Sequence, residues 1–345
     1  MKRLRTWVGF ETGIHGGLWM NTVVTDYTFP DLELERSILE GLGYQLSASK
    51  ERPPIANLKA LVRGADAVIT QFAPVNAEVV SAMDRARVIV RYGIGVDNVD
   101  LDSARSHGIP VCNVPDYCLD EVADHTMAFI LAQTRQVVPH TLAIKEKHWG
   151  LVGPLENLRT LRDQTVGVIG FGRIGREVVA RLKPFKSRIL VFDPHIHAAT
   201  ITLAGAESAS FAEICTQADI ITLHCPSTPQ TKNLINAESL AACKPGVILI
   251  NLARGDLVDP GALTAALTAG HVSAASLDVF SPEPIPHDHP ILQMPNVVLA
   301  PHIASASPAA VEKLRRTAAE LAAQALRGEL PPNVVNGVKV PRRIS

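Results

Sequence analysis

The chain has 345 residues, too many for one compact core and suited to two domains. Hydrophobic residues at 47% and charged ones at 19% describe a well-buried globule, and a formal net charge of −1 offers no basic field, which argues against nucleic acid or an anionic membrane as the main partner. Cys112, Cys118, Cys215, Cys225 and Cys243 are odd in number and lack CxxC or His-flanked zinc spacing, so they read as reduced cytosolic thiols with no metal to hold.

Residues 1–20 open with MKRLR and carry Trp7, Phe10 and Trp19. Glu11 and His15 interrupt any apolar core and no small-residue cleavage site follows, so the stretch is not a secretory signal. It reads as an N-terminal extension, either a flexible or partner-contacting arm or an upstream start codon read as coding. No run of eighteen apolar residues predicts a membrane span. Strand-like segments follow at 22–25, 44–46, 67–70 and 88–90, with helical spacing at 32–41, 56–62 and 76–84. Near-continuous apolar strands alternating with helices predict a parallel, doubly wound sheet. This first unit spans 21–120 and includes the glycine-containing strand end RYGIGVD at 91–97.

Residues 121–135 have apolar positions at helical spacing and predict a helix leading into a second unit. Residues 136–164 read as polar and irregular. The 165–194 stretch then reads TVGVIGFGRIGREVVARLKPFKSRILVFDP. An apolar strand runs into Gly170-Phe171-Gly172-Arg173-Ile174-Gly175, a helix follows, and a second strand ends at Asp193, eighteen residues after Gly175. Gly170 makes the tight turn, Gly172 lets the backbone approach a pyrophosphate, and Gly175 lets helix and strand pack closely. Strand, glycines, helix, strand and acid in this order predict dinucleotide binding, with the diphosphate at a helix N-terminus. A carboxylate at Asp193 accepts from both ribose hydroxyls and repels a 2′-phosphate, so the cofactor is NAD rather than NADP. Further strands at 220–224, 247–251, 274–278 and 297–300 continue the second unit, 121–307. A helix over 308–327 and a Pro/Asn tail at 331–336 return to the first unit, which thus also takes in 308–345.

Three residues stand beyond strand ends of the second unit: Arg254, Glu283 and His302. Redox chemistry on a 2-hydroxy or 2-oxo acid needs a cation for the carboxylate, which a guanidinium supplies as a planar fork. It needs a group titrating near neutrality to pass a proton to the carbonyl oxygen, which suits imidazole. A carboxylate beside the imidazole orients it and stabilises its protonated form. Hydride transfer belongs to the cofactor.

The motifs VGVIGFGRIG, LHCPSTPQTKNLI, LINLARGDLVD, SLDVFSPEP and APHIAS resemble those of the D-isomer-specific 2-hydroxyacid dehydrogenases, a family that includes 3-phosphoglycerate dehydrogenases and hydroxypyruvate or glyoxylate reductases. The likeness covers about 22–336. RYGIGVDNVDL and NVPDYCLDEVADHT look most like the branch near the C-terminal-binding-protein corepressors. The resemblance implies a Rossmann NAD-binding domain and a flavodoxin-like substrate domain with a cleft between them. It implies that Arg254 binds substrate, that His302 is the acid/base and that Glu283 is its partner. It implies Asp278 near the nicotinamide amide, and Thr126, Cys225 and Pro226 along the cofactor, where Arg173, Ile174, His224, Thr231, Asn251 and Ala253 also belong. Gly93 and Ile94 would offer backbone N–H groups to the substrate carboxylate, with Arg91 adding charge. The corepressor-like branch carries a Trp shortly after the catalytic His, whereas this chain reads Ile303-Ala304-Ser305. Glu283 argues against formate oxidation, for which relatives carry Gln. The absence of an extension after residue 345 argues against a serine-controlled phosphoglycerate enzyme. The expected partners are a small 2-hydroxy or 2-oxo acid, met by loops at 26–30 and 71–74, and a second copy of the chain, met near 121–160. An NAD(H)-sensing binding protein with little turnover is the competing class, and phosphite oxidation is a third reading for which no residue is singled out.

Overall fold

The computed structural model describes residues 19–340. The extension assigned to 1–20 lies outside them except for Trp19 and Met20. The chain divides into two units. Unit 1 runs to Pro115 and resumes at Leu314, and unit 2 is Asp116–Lys313.

In unit 1 the strands are β1 (Asn21–Val24), β2 (Gln45–Ala48), β3 (Ala67–Thr70), β4 (Ile89–Arg91) and β5 (Val111–Cys112). The helices are α1 (Glu33–Leu39), α2 (Ile55–Val62), α3 (Ala77–Ser81) and α4 (Leu101–Ser106). The sheet is parallel in the order β2-β1-β3-β4-β5. All four residues of β3 are buried, as a strand covered on both faces requires. Val23, Leu58, Val68, Val79, Ile89 and Ile109 close the core around it. Asn76 and Asp100 cap α3 and α4, accepting from Val79 and Ser103 N–H. The strand order reverses at β1 and β3, and Asp26 ties their carboxyl ends together. Its carboxylate accepts the N–H groups of Gln71, Phe72 and Ala73. The tail is sealed in by Asn336, whose side chain accepts from Val111 N–H (3.0 Å) and donates to Ile109 O (2.8 Å).

Unit 2 begins with α5 (Leu119–Thr134) and α6 (Val137–Lys145). The second helix lies where the sequence reads as irregular. None of its residues is buried, so it has no inward apolar stripe for periodicity to find. Then come β6 (Thr165–Ile169), α7 (Arg173–Leu182), β7 (Arg188–Phe192), α8 (Ala198–Leu203), β8 (Glu207–Ser208), α9 (Phe211–Gln217) and β9 (Ile220–Leu223). The remainder is α10 (Ala237–Ala242), β10 (Val247–Asn251), α11 (Pro260–Thr268), β11 (Val272–Leu277), β12 (Val297–Leu299) and α12 (Pro308–Leu326). The change from unit 2 to unit 1 falls within α12, after Lys313. The seven strands are parallel in the order β12-β11-β10-β9-β6-β7-β8, so the winding reverses between β6 and β9. Ligands of such sheets bind outside the carboxyl ends of the strands at that reversal.

Candidate active site

The turn after β6 is shaped by what its glycines must avoid. Gly170 has φ +97°, and a Cβ there would stand 2.6 Å from His224 C and 2.7 Å from Cys225 N, at the end of the neighbouring strand β9. A Cβ on Gly175 would stand 2.1 Å from Gly170 O, so α7 leaves the turn as close as backbone allows. Gly172 is the N-cap of α7 and has no side-chain cap; a Cβ there would meet nothing within 4 Å. Arg173 and Ile174 form the first turn of that helix. Asp193, just beyond β7, accepts Phe171 N–H on Oδ2 (2.8 Å) and His195 N–H on Oδ1 (2.9 Å). The acid thus grips the glycine turn itself.

The loop after β9 continues this edge. His224 donates its N–H to Ile169 O (2.7 Å), and its Nε2 lies 2.9 Å from Thr222 Oγ1. Burial pushes its pKa down to about 3, so the ring is neutral. Burial pushes the Cys225 thiol up to about 11, reinforced by the charges of Asp193 and Asp256, which makes it a poor nucleophile. Thr231 donates to Pro226 O (2.7 Å) and accepts from Thr228 N–H (2.8 Å), closing the loop on itself. Thr126 on α5 is fully buried, with its hydroxyl donating to Val122 O (2.7 Å).

Beyond β10, Asn251 makes the bend. Its Oδ1 accepts Ala253 N–H (3.0 Å) and its Nδ2 donates to Arg254 O (2.8 Å). Arg254 Nη1 donates to Ala253 O (2.7 Å). A Cβ on Gly255 would stand 2.0 Å from Phe280 C, so this loop is pressed onto the one after β11. Phe280 N–H in turn donates to Glu283 Oε1 (2.9 Å), and Glu283 Oε2 lies 2.8 Å from His302 Nδ1. An ionised carboxylate only accepts, so Nδ1 carries the proton in this pair. Burial pushes the Glu283 carboxyl up. The His302 hydrogen bond, the Phe280 N–H and the positive charges of His302 and Arg254 outweigh it and hold the group below its ordinary value. Arg254, Glu283 and His302 are therefore in electrostatic reach of one another.

His302 has φ +56°, a left-handed conformation that its surroundings must enforce. Asp278 does so. Its carbonyl accepts His302 N–H (2.8 Å), and its carboxylate accepts Ile303 N–H (2.8 Å) and Ala304 N–H (2.9 Å). Burial raises its pKa against those bonds. In unit 1, Arg91 ends β4, and the Gly93 N–H assigned to substrate donates to Arg91 O (2.9 Å); Ile94 O accepts from Asn113 Nδ2 (2.6 Å).

Residues 127–304 match the family model described as "D-isomer specific 2-hydroxyacid dehydrogenase, NAD binding domain". The chain belongs to that family. It is 37% identical over 306 residues to a D-3-phosphoglycerate dehydrogenase of Mycobacterium leprae, covering 88% of this chain but 57% of that protein. The chain therefore spans less than two thirds of the length of that relative. It is also 37% identical to a glyoxylate reductase of Korarchaeum cryptofilum, covering 80% and 84% of the two chains. The solved D-lactate dehydrogenase of Aquifex aeolicus, complexed with NAD and lactic acid, superposes with a TM-score of 0.82 at 28% identity, covering 92% of this chain and 99% of that one.

The family's cofactor is NAD, and unit 2 fits it. The space beside Gly172 and the uncapped start of α7 suit a diphosphate, and a carboxylate at the end of β7, that of Asp193, is of the type that accepts from ribose hydroxyls. Sequence reasoning missed one residue of this edge and one role of another. Phe280 holds Glu283 through its backbone N–H, which has no sequence signal because that group is common to every residue type except proline. Asp278, expected near the cofactor, also anchors the His302 loop through its carboxylate and carbonyl, a role that depends on residues 24 to 26 positions away.

Proposed function

We propose that the chain is an NAD-dependent oxidoreductase interconverting a D-2-hydroxy acid and its 2-oxo acid. The observation that carries this reading is the 2.8 Å contact of His302 Nδ1 with Glu283 Oε2, on a carboxylate that also feels Arg254. When bound, the reduced nicotinamide supplies the hydride. Arg254 holds the substrate carboxylate and carbonyl with its fork, while in unit 1 Arg91 contributes charge and Ile94 a backbone donor; the Gly93 N–H, bonded to Arg91 O, shapes that strand end instead. His302 passes a proton from Nε2 to the carbonyl oxygen, and Glu283 keeps the ring oriented by accepting from Nδ1. The family names of the relatives support the same class of substrate.

The test is NADH and NADPH oxidation, side by side, with pyruvate, glyoxylate, hydroxypyruvate and longer 2-oxo acids. Turnover with at least one acid, faster with NADH, is expected. Tight NADH binding with no turnover across the panel would replace this reading with a NAD(H)-sensing protein.

A homodimer in the cytoplasm belongs to the same proposal. Val137, Leu142, Ile144 and Trp149 leave apolar surface exposed on and just after α6, 91% in the case of Trp149. Every cysteine is a free thiol, as a reducing compartment keeps it. Among the described residues no helix is long and apolar enough to cross a membrane. Sedimentation equilibrium should return twice the chain mass, and a single-chain mass would remove the dimer.

A further inference from the structure

Unit 1 holds a buried charge that the proposed chemistry leaves unused. Glu35, on α1, is fully buried, and a carboxylate is kept there only if its oxygens are answered. Arg315, on α12, answers both. Its Nε lies 2.9 Å from Oε1 and 3.2 Å from Oε2, and its Nη2 lies 2.7 Å from Oε2. The same Nη2 reaches Asp31 O (2.9 Å) and Asp31 Oδ1 (3.1 Å). From the other side the Tyr92 hydroxyl donates to Glu35 Oε1 (3.0 Å). Phe29 fills the space between them, 5.1 Å from the Arg315 guanidinium and 5.2 Å edge-to-face from Tyr92.

We propose that Glu35, Arg315 and Tyr92 are positioning residues for the substrate. The proposal rests on the functional reading above. The network clamps two backbone segments that emerge at the same edge of a parallel sheet. One is the loop after β1, through Phe29 and Asp31, and the other is the strand end after β4, where Tyr92 immediately precedes Gly93 and Ile94. An ion pair serving stability alone could be replaced by packed apolar side chains at no loss. A fork that fixes a carboxylate, a loop carbonyl and, through the carboxylate, a tyrosine at a strand end sets the distance between two ligand-facing segments instead. A lysine ammonium is a point charge and could not hold these groups together.

Tyr92→Phe removes one oxygen and leaves the ring packing and the ion pair in place. The expected result is a KM for the accepted 2-oxo acid raised roughly tenfold, the loss typical of one hydrogen bond to a charged group. Changes in kcat and in NADH affinity by fluorescence titration should stay within about twofold. Hydrogen exchange read by mass spectrometry should quicken in segments 26–32 and 92–96 and not in unit 2. Arg315→Lys should do the same more strongly. Unchanged exchange in those two segments in both variants would overturn the proposal whether or not the protein turns over. A fall in melting temperature with KM unchanged would reduce the network to a stabilising role and overturn it too. If no acid is turned over but the two segments loosen as described, the positioning stands and the functional reading is what has failed.

Discussion

Replacing His302 by alanine should lower kcat by roughly 10²–10⁴-fold, the range that a positioned acid/base contributes. NADH affinity should hold, because the glycine turn and Asp193 stand on other strands. One structural cost accompanies the chemical one. His302 has φ +56°, and alanine resists that region by about 1–2 kcal/mol, whereas asparagine visits it readily. His302→Asn is therefore the cleaner variant. It keeps the turn that Asp278 holds and removes only the titrating ring. Stopped-flow NADH oxidation would read the chemical step in both variants, and a rate retained in both would show that the proton comes from elsewhere. The partner carboxyl supplies a second readout. Burial pushes Glu283 up and the His302 bond pulls it down, with the pull winning in the parent protein. Without the ring the upward push prevails over more of the range, so the Glu283 carboxyl should titrate at higher pH than in the parent. A depressed pKa stabilises the fold above the ordinary carboxyl range and is lost as pH falls through the folded value. The variant should therefore lose its share of that stability at less acidic pH.

Arg254→Ala should be the next most costly change, about 2–5 kcal/mol in transition-state binding, or roughly 30- to 4,000-fold in kcat/KM. The guanidinium is asked to hold a carboxylate with two parallel donors, and its charge also acts on Glu283. Both effects go with the side chain. Arg254→Lys should restore the charge without the fork, recovering part of the loss in kcat/KM and leaving KM high. The loop itself should survive, because Asn251 and the contact of Gly255 with Phe280 shape it through backbone atoms. Steady-state kinetics with the accepted acid, with NADH saturating, separates these outcomes. Equal kcat/KM for parent and alanine variant would remove Arg254 from the substrate site.

The features legible in the sequence are those whose cause is local. Continuous apolar runs such as VILIN in β10 announce strands covered on both faces, and the spacing from Gly170 to Asp193 announces a dinucleotide turn. One strand, one turn and one helix suffice to produce them. The two parallel, doubly wound sheets follow from strands and helices alternating along the chain. Local signal fails at α6, whose residues face outward, and at β8, two exposed residues recognised as a strand only by their pairing with β7.

The contacts that aim the side chains are a different matter. Asp278 reaches Ala304 across 26 residues, and Arg315 reaches Glu35 across 280. In the sequence Glu35 and Arg315 look like ordinary charges on helix faces, and nothing at Thr126 shows that its hydroxyl donates within its own helix, to Val122 O. The kinds of element, their order and the residue types able to do the chemistry are written locally in the chain, because propensity and periodicity act over a few residues. Which carboxylate faces which cation, and which backbone N–H holds which acid, is set by folding, because such pairings depend on chain closure over distances that no local pattern encodes.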